Sequence, residues 1–147
     1  MVRPRRLGHL VLRVRDVERS ARFYTEVLDL KVTHRFPGQM VFLSASGDSS
    51  HELALMALGP DAPGPEPGRV GLYHFAWEMG SLEELRELYA LLQKKGVPIA
   101  GTGNHGISLG VYFLDPDGNE IEAFHELPRD RWPKRDIFAG SYPGSLE

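Results

Sequence analysis

Two stretches decide the fold: residues 7–16, LGHLVLRVRD, and residues 70–81, VGLYHFAWEMGS. In the first, Leu7, His9, Val11 and Arg13 alternate with Gly8, Leu10, Leu12 and Val14, the two-residue period of a strand. Asp16 follows it with the chemistry of a helix N-cap, because its short carboxylate can accept from the free backbone N–H groups of a first turn. The second stretch repeats the plan, with a strand over 70–79 and Ser81 as the N-cap. His9 stands seven residues before Asp16, and His74 stands seven before Ser81. Equivalent histidines therefore occupy equivalent strands of an internal repeat.

Working outward, residues 20–29 (SARFYTEVLD) carry Phe23 and Val27 roughly in line with Leu30, as a short helix would. Strands are expected over 31–36, 40–45 and 51–58, separated by PGQ and SGDSS turn chemistry. The second half predicts a helix over 82–96 with Leu82, Leu85, Tyr89 and Leu92 on one stripe and Gly96 closing it. Strands over 98–102, 107–114 and 120–125 follow, the last two joined by DPDGN. Between the halves, GPDAPGPEPG (59–68) holds four prolines and three glycines, which exclude a helix or central strand. The expected organisation is an α+β chain: a βαβββ module over 1–58, a linker over 59–69, a second βαβββ module over 70–126, and a C-terminal arm over 127–147. Trp132, Ile137, Phe138 and Tyr142 mark that arm as a segment packed on something.

The 147 residues, 41% hydrophobic and 25% charged, suit a core of ordinary globular size. The chain has no cysteine, which excludes a disulfide framework, a thiolate zinc site, an iron–sulfur cluster and a cysteine nucleophile. A metal would have to be held by His, Asp or Glu. The net charge of −3, with one basic cluster at Arg3, Arg5 and Arg6, gives no reason to expect nucleic acid as a partner. No apolar run approaches the ~18 residues of a membrane span, and the alternating N-terminus lacks a signal-peptide core. The expectation is a cytoplasmic protein that engages no membrane.

A pseudo-twofold pairing of the modules would bring His9 and His74 to one point. On the strand over 120–125, Glu120, Glu122 and Phe124 face one way, and Ile121 and Ala123 the other. His9, His74 and Glu122 together make a two-histidine, one-carboxylate set, which leaves three positions of a d-block ion open to a bidentate substrate and O2.

The βαβββ repeat, the two strand-borne histidines and the segment GVYFLDPDGNEIEAF (110–124) resemble the vicinal oxygen chelate superfamily. That family includes glyoxalase I, fosfomycin resistance enzymes, bleomycin-binding proteins and type I extradiol dioxygenases. The resemblance covers residues 7–126. It implies a curved, mostly antiparallel eight-stranded sheet around a metal, with the helices on its convex side.

HGISLGVYF (105–113) and HELAL (51–55) resemble segments of the extradiol branch, with Tyr112 ten residues before Glu122. On that resemblance His51 would be an acid–base catalyst near dioxygen, and His105 and Tyr112 would hydrogen-bond the catecholate oxygens. The implied activity is ring opening of a catechol-type diol by O2 with Fe(II), or Mn(II), in a homodimer, the arm over 132–142 serving as a lid. Two alternatives stand beside it. A glyoxalase I-like lyase or isomerase would use Glu52 as a fourth ligand, and periodicity alone leaves open whether His51 or Glu52 faces the metal. A bleomycin resistance-type module would bind a drug without catalysis. His34 and His125 have no motif support and are expected to be structural or surface residues.

Overall fold

The computed structural model describes all residues 1–147. In the first half, β1 (Leu10–Val14), α1 (Val17–Leu28), β2 (Lys31–Phe36), β3 (Met40–Ser44) and β4 (Leu53–Ala57) follow in order; in the second, β5 (His74–Glu78), α2 (Leu82–Lys95), β6 (Ile99–Asn104), β7 (Ser108–Leu114) and β8 (Glu120–Glu126). A 3-10 turn at Arg129–Arg131 leads into the arm. The chain divides into two units within the proline-rich linker, Met1–Gly64 and Pro65–Glu147.

This is the α+β, two-module architecture that the repeat predicts, with the eight strands distributed over two four-stranded sheets of order β1-β4-β3-β2 and β5-β8-β7-β6. Each sheet is mixed. β1–β4 and β5–β8 are parallel, and the other ladders are antiparallel. The parallel pairing follows from the helix, which carries the chain back across its sheet before the antiparallel strands begin.

Both predicted N-caps act as such. The Asp16 carboxylate accepts from the N–H of Glu18 at 2.9 Å and of Arg19 at 3.1 Å, and those hydrogen bonds, the Arg19 one foremost, hold its carboxyl below the ordinary range. The Ser81 hydroxyl accepts from the N–H of Glu84 at 3.1 Å. α2 ends on Gly96 at φ 67°, where the left-handed backbone favours glycine.

The helix stripes differ from expectation. Because α1 starts at Val17, its buried positions run Val17, Ser20, Ala21, Tyr24 and Val27, so Tyr24 is the core aromatic and Phe23 lies at the edge. In α2 the buried stripe is Leu85, Leu88 and Leu92, with Leu82 and Tyr89 half-buried. The first strands are also shorter than the alternation suggests. β1 begins at Leu10, opposite Leu53, and β5 begins at His74, opposite Glu120. A strand extends only as far as a partner can satisfy its backbone. Val70, Leu72 and Tyr73 therefore lie exposed before β5.

α1 packs on β3 and β4, and α2 on β8. Tyr24, Val41, Leu43, Leu53 and Leu55 are fully buried in the first unit; Leu85, Leu92, Val111, Phe113, Ile121 and Ala123 are fully buried in the second. The arm packs on the second unit. Tyr142 is buried, its N–H donates to Asn104 Oδ1, and its hydroxyl meets His125 Nδ1 at 2.6 Å. Arg86 Nε donates to the Ser145 carbonyl, and Trp132 Nε1 to that of Leu127. His125 is thus a structural residue.

Replacing Tyr24 with Ala should cost about 3–5 kcal/mol, as for other large buried aromatics. Phe23→Ala should cost about 1 kcal/mol or less. Urea denaturation of the two variants side by side checks the corrected stripe.

Candidate metal and catalytic site

The buried turn after β7 sets the start of β8. Asp115 Oδ1 accepts from the N–H of Asp117 and of Asn119, and the Asn119 amide donates to Oδ2, each at 2.9 Å. With Gly118 at φ 87°, this folds DPDGN tightly. β8 then runs between β5 and β7, with Glu122 opposite Ala76 on one side and Tyr112 on the other. Its alternation sends Ile121 and Ala123 into the core and Glu120 and Glu122 to the opposite face.

On that face His74 meets both carboxylates. Its Nε2 lies 3.3 Å from Glu122 Oε2, and its Nδ1 lies 3.6 Å from Glu120 Oε2. The Nδ1 and Glu120 Oε2 atoms are buried without a hydrogen-bond partner. The Tyr112 ring stands edge-on to His74, with centroids 5.3 Å apart. The Tyr112 hydroxyl lies 2.8 Å from His105 Nε2, and Tyr112 stands opposite Glu122 across the β7–β8 ladder. Burial, then the neighbouring Glu122 carboxylate, push the phenol up to about 12. His74, Glu122, Tyr112 and His105 therefore form one contiguous polar chain.

The first unit assembles a second group. The His9 and His51 rings lie 4.5 Å apart, and Phe42 stands edge-on to His51 at 5.0 Å. Ser50 Oγ meets His51 Nδ1 at 2.9 Å. Thr33, His34, Phe36, Phe42, Ser50 and His51 line a cavity of about 420 Å³. Its neighbour Glu52 turns elsewhere: Ser46 Oγ donates to Glu52 Oε1 at 3.2 Å. Burial acts to raise the Glu52 carboxyl, but the nearby Ser44, Ser49 and Ser46 hydroxyls and the Ala45 N–H outweigh it and hold it below the ordinary value; Glu52 Oε2 itself is buried without a hydrogen-bond partner.

The structure thus brings His74 together with Glu122, His105 with Tyr112, and His9 with His51. It assembles no group of three or more His, Asp or Glu side chains able to hold an ion. Sequence reasoning missed two participants. Glu120 was legible as the residue two before Glu122 on the same strand face. His34, read as structural or surface, lines the first unit's cavity, and only the hairpin of β2 and β3 reveals that.

Residues 6–123 match the Glyoxalase/Bleomycin resistance protein/Dioxygenase superfamily, and the chain belongs to it. A catechol-2,3-dioxygenase of Bacillus subtilis (strain 168) is 34% identical over 129 residues, 87% of this chain and 44% of that protein. A biphenyl-2,3-diol 1,2-dioxygenase of Rhodococcus globerulus is 35% identical over 120 residues, 80% of this chain and 61% of that protein. The chain accordingly spans about half the length of the curated relatives it matches. Among solved structures, a trypanothione-dependent glyoxalase I of Leishmania major is similar at 30% identity and a TM-score of 0.64, over 84% of this chain and 88% of that one. A domain of the same superfamily from Frankia sp. EAN1pec reaches a TM-score of 0.69 at 27% identity, over 81% of this chain and 95% of that one. No helix is long and apolar enough to cross a membrane.

His74 and Glu122 supply two donors of the types a divalent d-block ion takes, short of a complete set. An imidazole and a carboxylate already approach within 3.3 Å, and a buried Glu120 oxygen stands behind the imidazole's other nitrogen, the place of the carboxylate that commonly orients a ligating histidine.

A carboxyl depressed in the folded state stabilises the fold above its ordinary value, and that contribution is lost as pH falls through the lowered one. Glu52→Gln should therefore lower Tm at neutral pH and flatten its decline below pH 4.5, the ordinary glutamate value. Thermal melts between pH 7 and pH 3 test this; an unchanged acid limb would show that the serine cluster does not hold Glu52 as an anion.

Proposed function

We propose that this chain carries the catalytic site of an extradiol dioxygenase, opening the ring of a catechol-type diol with O2 and Fe(II) or Mn(II). The observation that carries the reading is the polar chain from His74 through Glu122 and Tyr112 to His105, a metal-ligand pair joined to a phenol and an imidazole. Similarity to proteins named as catechol and biphenyl-diol dioxygenases supports it. His74, Glu122 and His9 are the proposed ligands. An ion held there would supply Lewis-acid chemistry, lowering the pKa of the diol hydroxyls, since free catechol ionises above neutral pH.

The protein's part is to place protons. Tyr112, a phenol up to about 12, keeps its proton at working pH and acts as a hydrogen-bond group toward the diolate. His105, with its Nε2 2.8 Å from that hydroxyl, orients it toward the diol oxygens. His51, held at Nδ1 by Ser50, is the proposed acid–base group: with the serine hydroxyl donating, the ring proton sits on Nε2, free to be given. In the overall reaction the ring C–C bond next to the diol breaks. One atom of O2 enters a carboxylate and the other the carbonyl on the adjacent carbon. The pairing into a homodimer belongs to the same proposal.

A glyoxalase I-like lyase is the second reading, favoured by the likeness to the Leishmania major enzyme. It calls on Glu52 as a ligand; Ser46 engages one oxygen of that carboxylate, and the other is buried without a partner.

Anaerobic loading with Fe(II), followed by a catechol panel and O2, should give one O2 consumed per yellow ring-cleavage product. His74→Ala should abolish it, and Tyr112→Phe or His51→Ala should lower kcat about 10²–10⁴-fold, the range for lost acid–base groups. No turnover with any diol, but isomerase activity on a thiohemiacetal with Ni(II) or Zn(II), would replace this reading with the second.

A further inference from the structure

We infer that Gly103 and Gly110 are positioning residues, one for His105 and the other for Glu122; the inference rests on the reading of those side chains as site residues. The two glycines face each other across the β6–β7 ladder. Glycine in a strand interior weakens it and often marks a close approach to the backbone. Neither glycine has positive φ, so backbone conformation does not require it. Space does. A Cβ on Gly110 would lie 2.5 Å from Glu122 Oε1 and 3.3 Å from its Cδ. A Cβ on Gly103 would lie 2.8 Å from His105 Nε2, 3.3 Å from its Cε1 and 3.2 Å from Tyr112 Cε2.

In each case the group in the way is the working end of a side chain. The Glu122 carboxylate lies over the β7 backbone where a side chain of residue 110 would stand, and from there it reaches both His74 and Tyr112. The His105 imidazole folds back over β6 where a side chain of residue 103 would stand, and from there it reaches the Tyr112 hydroxyl. An added methyl can be accommodated by moving those ends, so the fold survives while their placement is lost. The two effects are separable, because a Cβ on Gly110 meets the Glu122 carboxylate, whereas one on Gly103 meets His105 most closely, with the Tyr112 ring edge beside it.

The test is imidazole NMR of the metal-free protein, with resonances assigned through His74→Gln and His105→Gln, alongside Mn(II) titration. Gly110→Ala should move the His74 resonances, leave those of His105 in place, and weaken Mn(II) about 10–100-fold, as when a ligand-orienting contact is lost. Gly103→Ala should move His105 alone, leave Mn(II) affinity within about twofold, and lower kcat about 10²-fold with KM little changed, the cost of a misplaced catalytic group. Should Gly110→Ala not fold, the Gly110→Ala/Glu122→Asp double variant, with its shorter carboxylate, should fold. Both rings moving in both variants, neither moving in either, or failure of that double variant, would overturn the inference and make the glycines backbone requirements. Absence of Mn(II) binding by the wild-type chain would count against the dioxygenase reading instead, and the ring-by-ring NMR pattern would still decide the roles of the glycines.

Discussion

The parallel ladder that sets His74 opposite Glu120 and Ala76 opposite Glu122 is the constraint on which the second unit's site depends. β8 is flanked on both sides, so its side chains have no freedom to change face without breaking two ladders at once. Burial of Ile121 and Ala123 beneath α2 secures that choice of face. The apolar half of the strand thereby holds the acidic half in place, and a carboxylate that would be costly to bury alone sits within reach of an imidazole and a phenol.

The network that results couples groups with different tasks. The carboxylate pair at Glu120 and Glu122 approaches His74 from either nitrogen, which fixes the orientation of the ring. The same Glu122 charge raises the phenol next to it, so one carboxylate bears on both the imidazole and the phenol. In the first unit, His51 and Glu52 are adjacent but diverge, one to His9 and the cavity, the other to the Ser46 hydroxyl. Both precede β4, which begins at Leu53, so their separate contacts in that turn, not strand alternation, set them apart.

The repeat, both helix caps and the α+β class were legible in the sequence because each rests on local chemistry. Asp16 and Ser81 cap whatever helix follows them, and the proline-rich linker breaks any element wherever it falls. The stripe in α1 was misjudged for a related reason. The choice between Phe23 and Tyr24 depends on where the first turn begins, and one residue of shift rotates the buried face by about 100°.

The sequence alone determined the types and spacings of the candidate residues: His9 and His74 at matching distances from their caps, and Glu122 on a face shared with Glu120. It also determined the absence of thiol chemistry, since composition needs no folding. Only the tertiary structure decided that β1 and β5 start at Leu10 and His74, because a strand ends where its partner's hydrogen bonds end. It alone decided that Glu120 stands behind His74, that His34 lines a cavity, and that two ordinary-φ glycines leave room for His105 and Glu122. Those are facts of distance between strands, and distance across a ladder is not encoded in the spacing along any one of them.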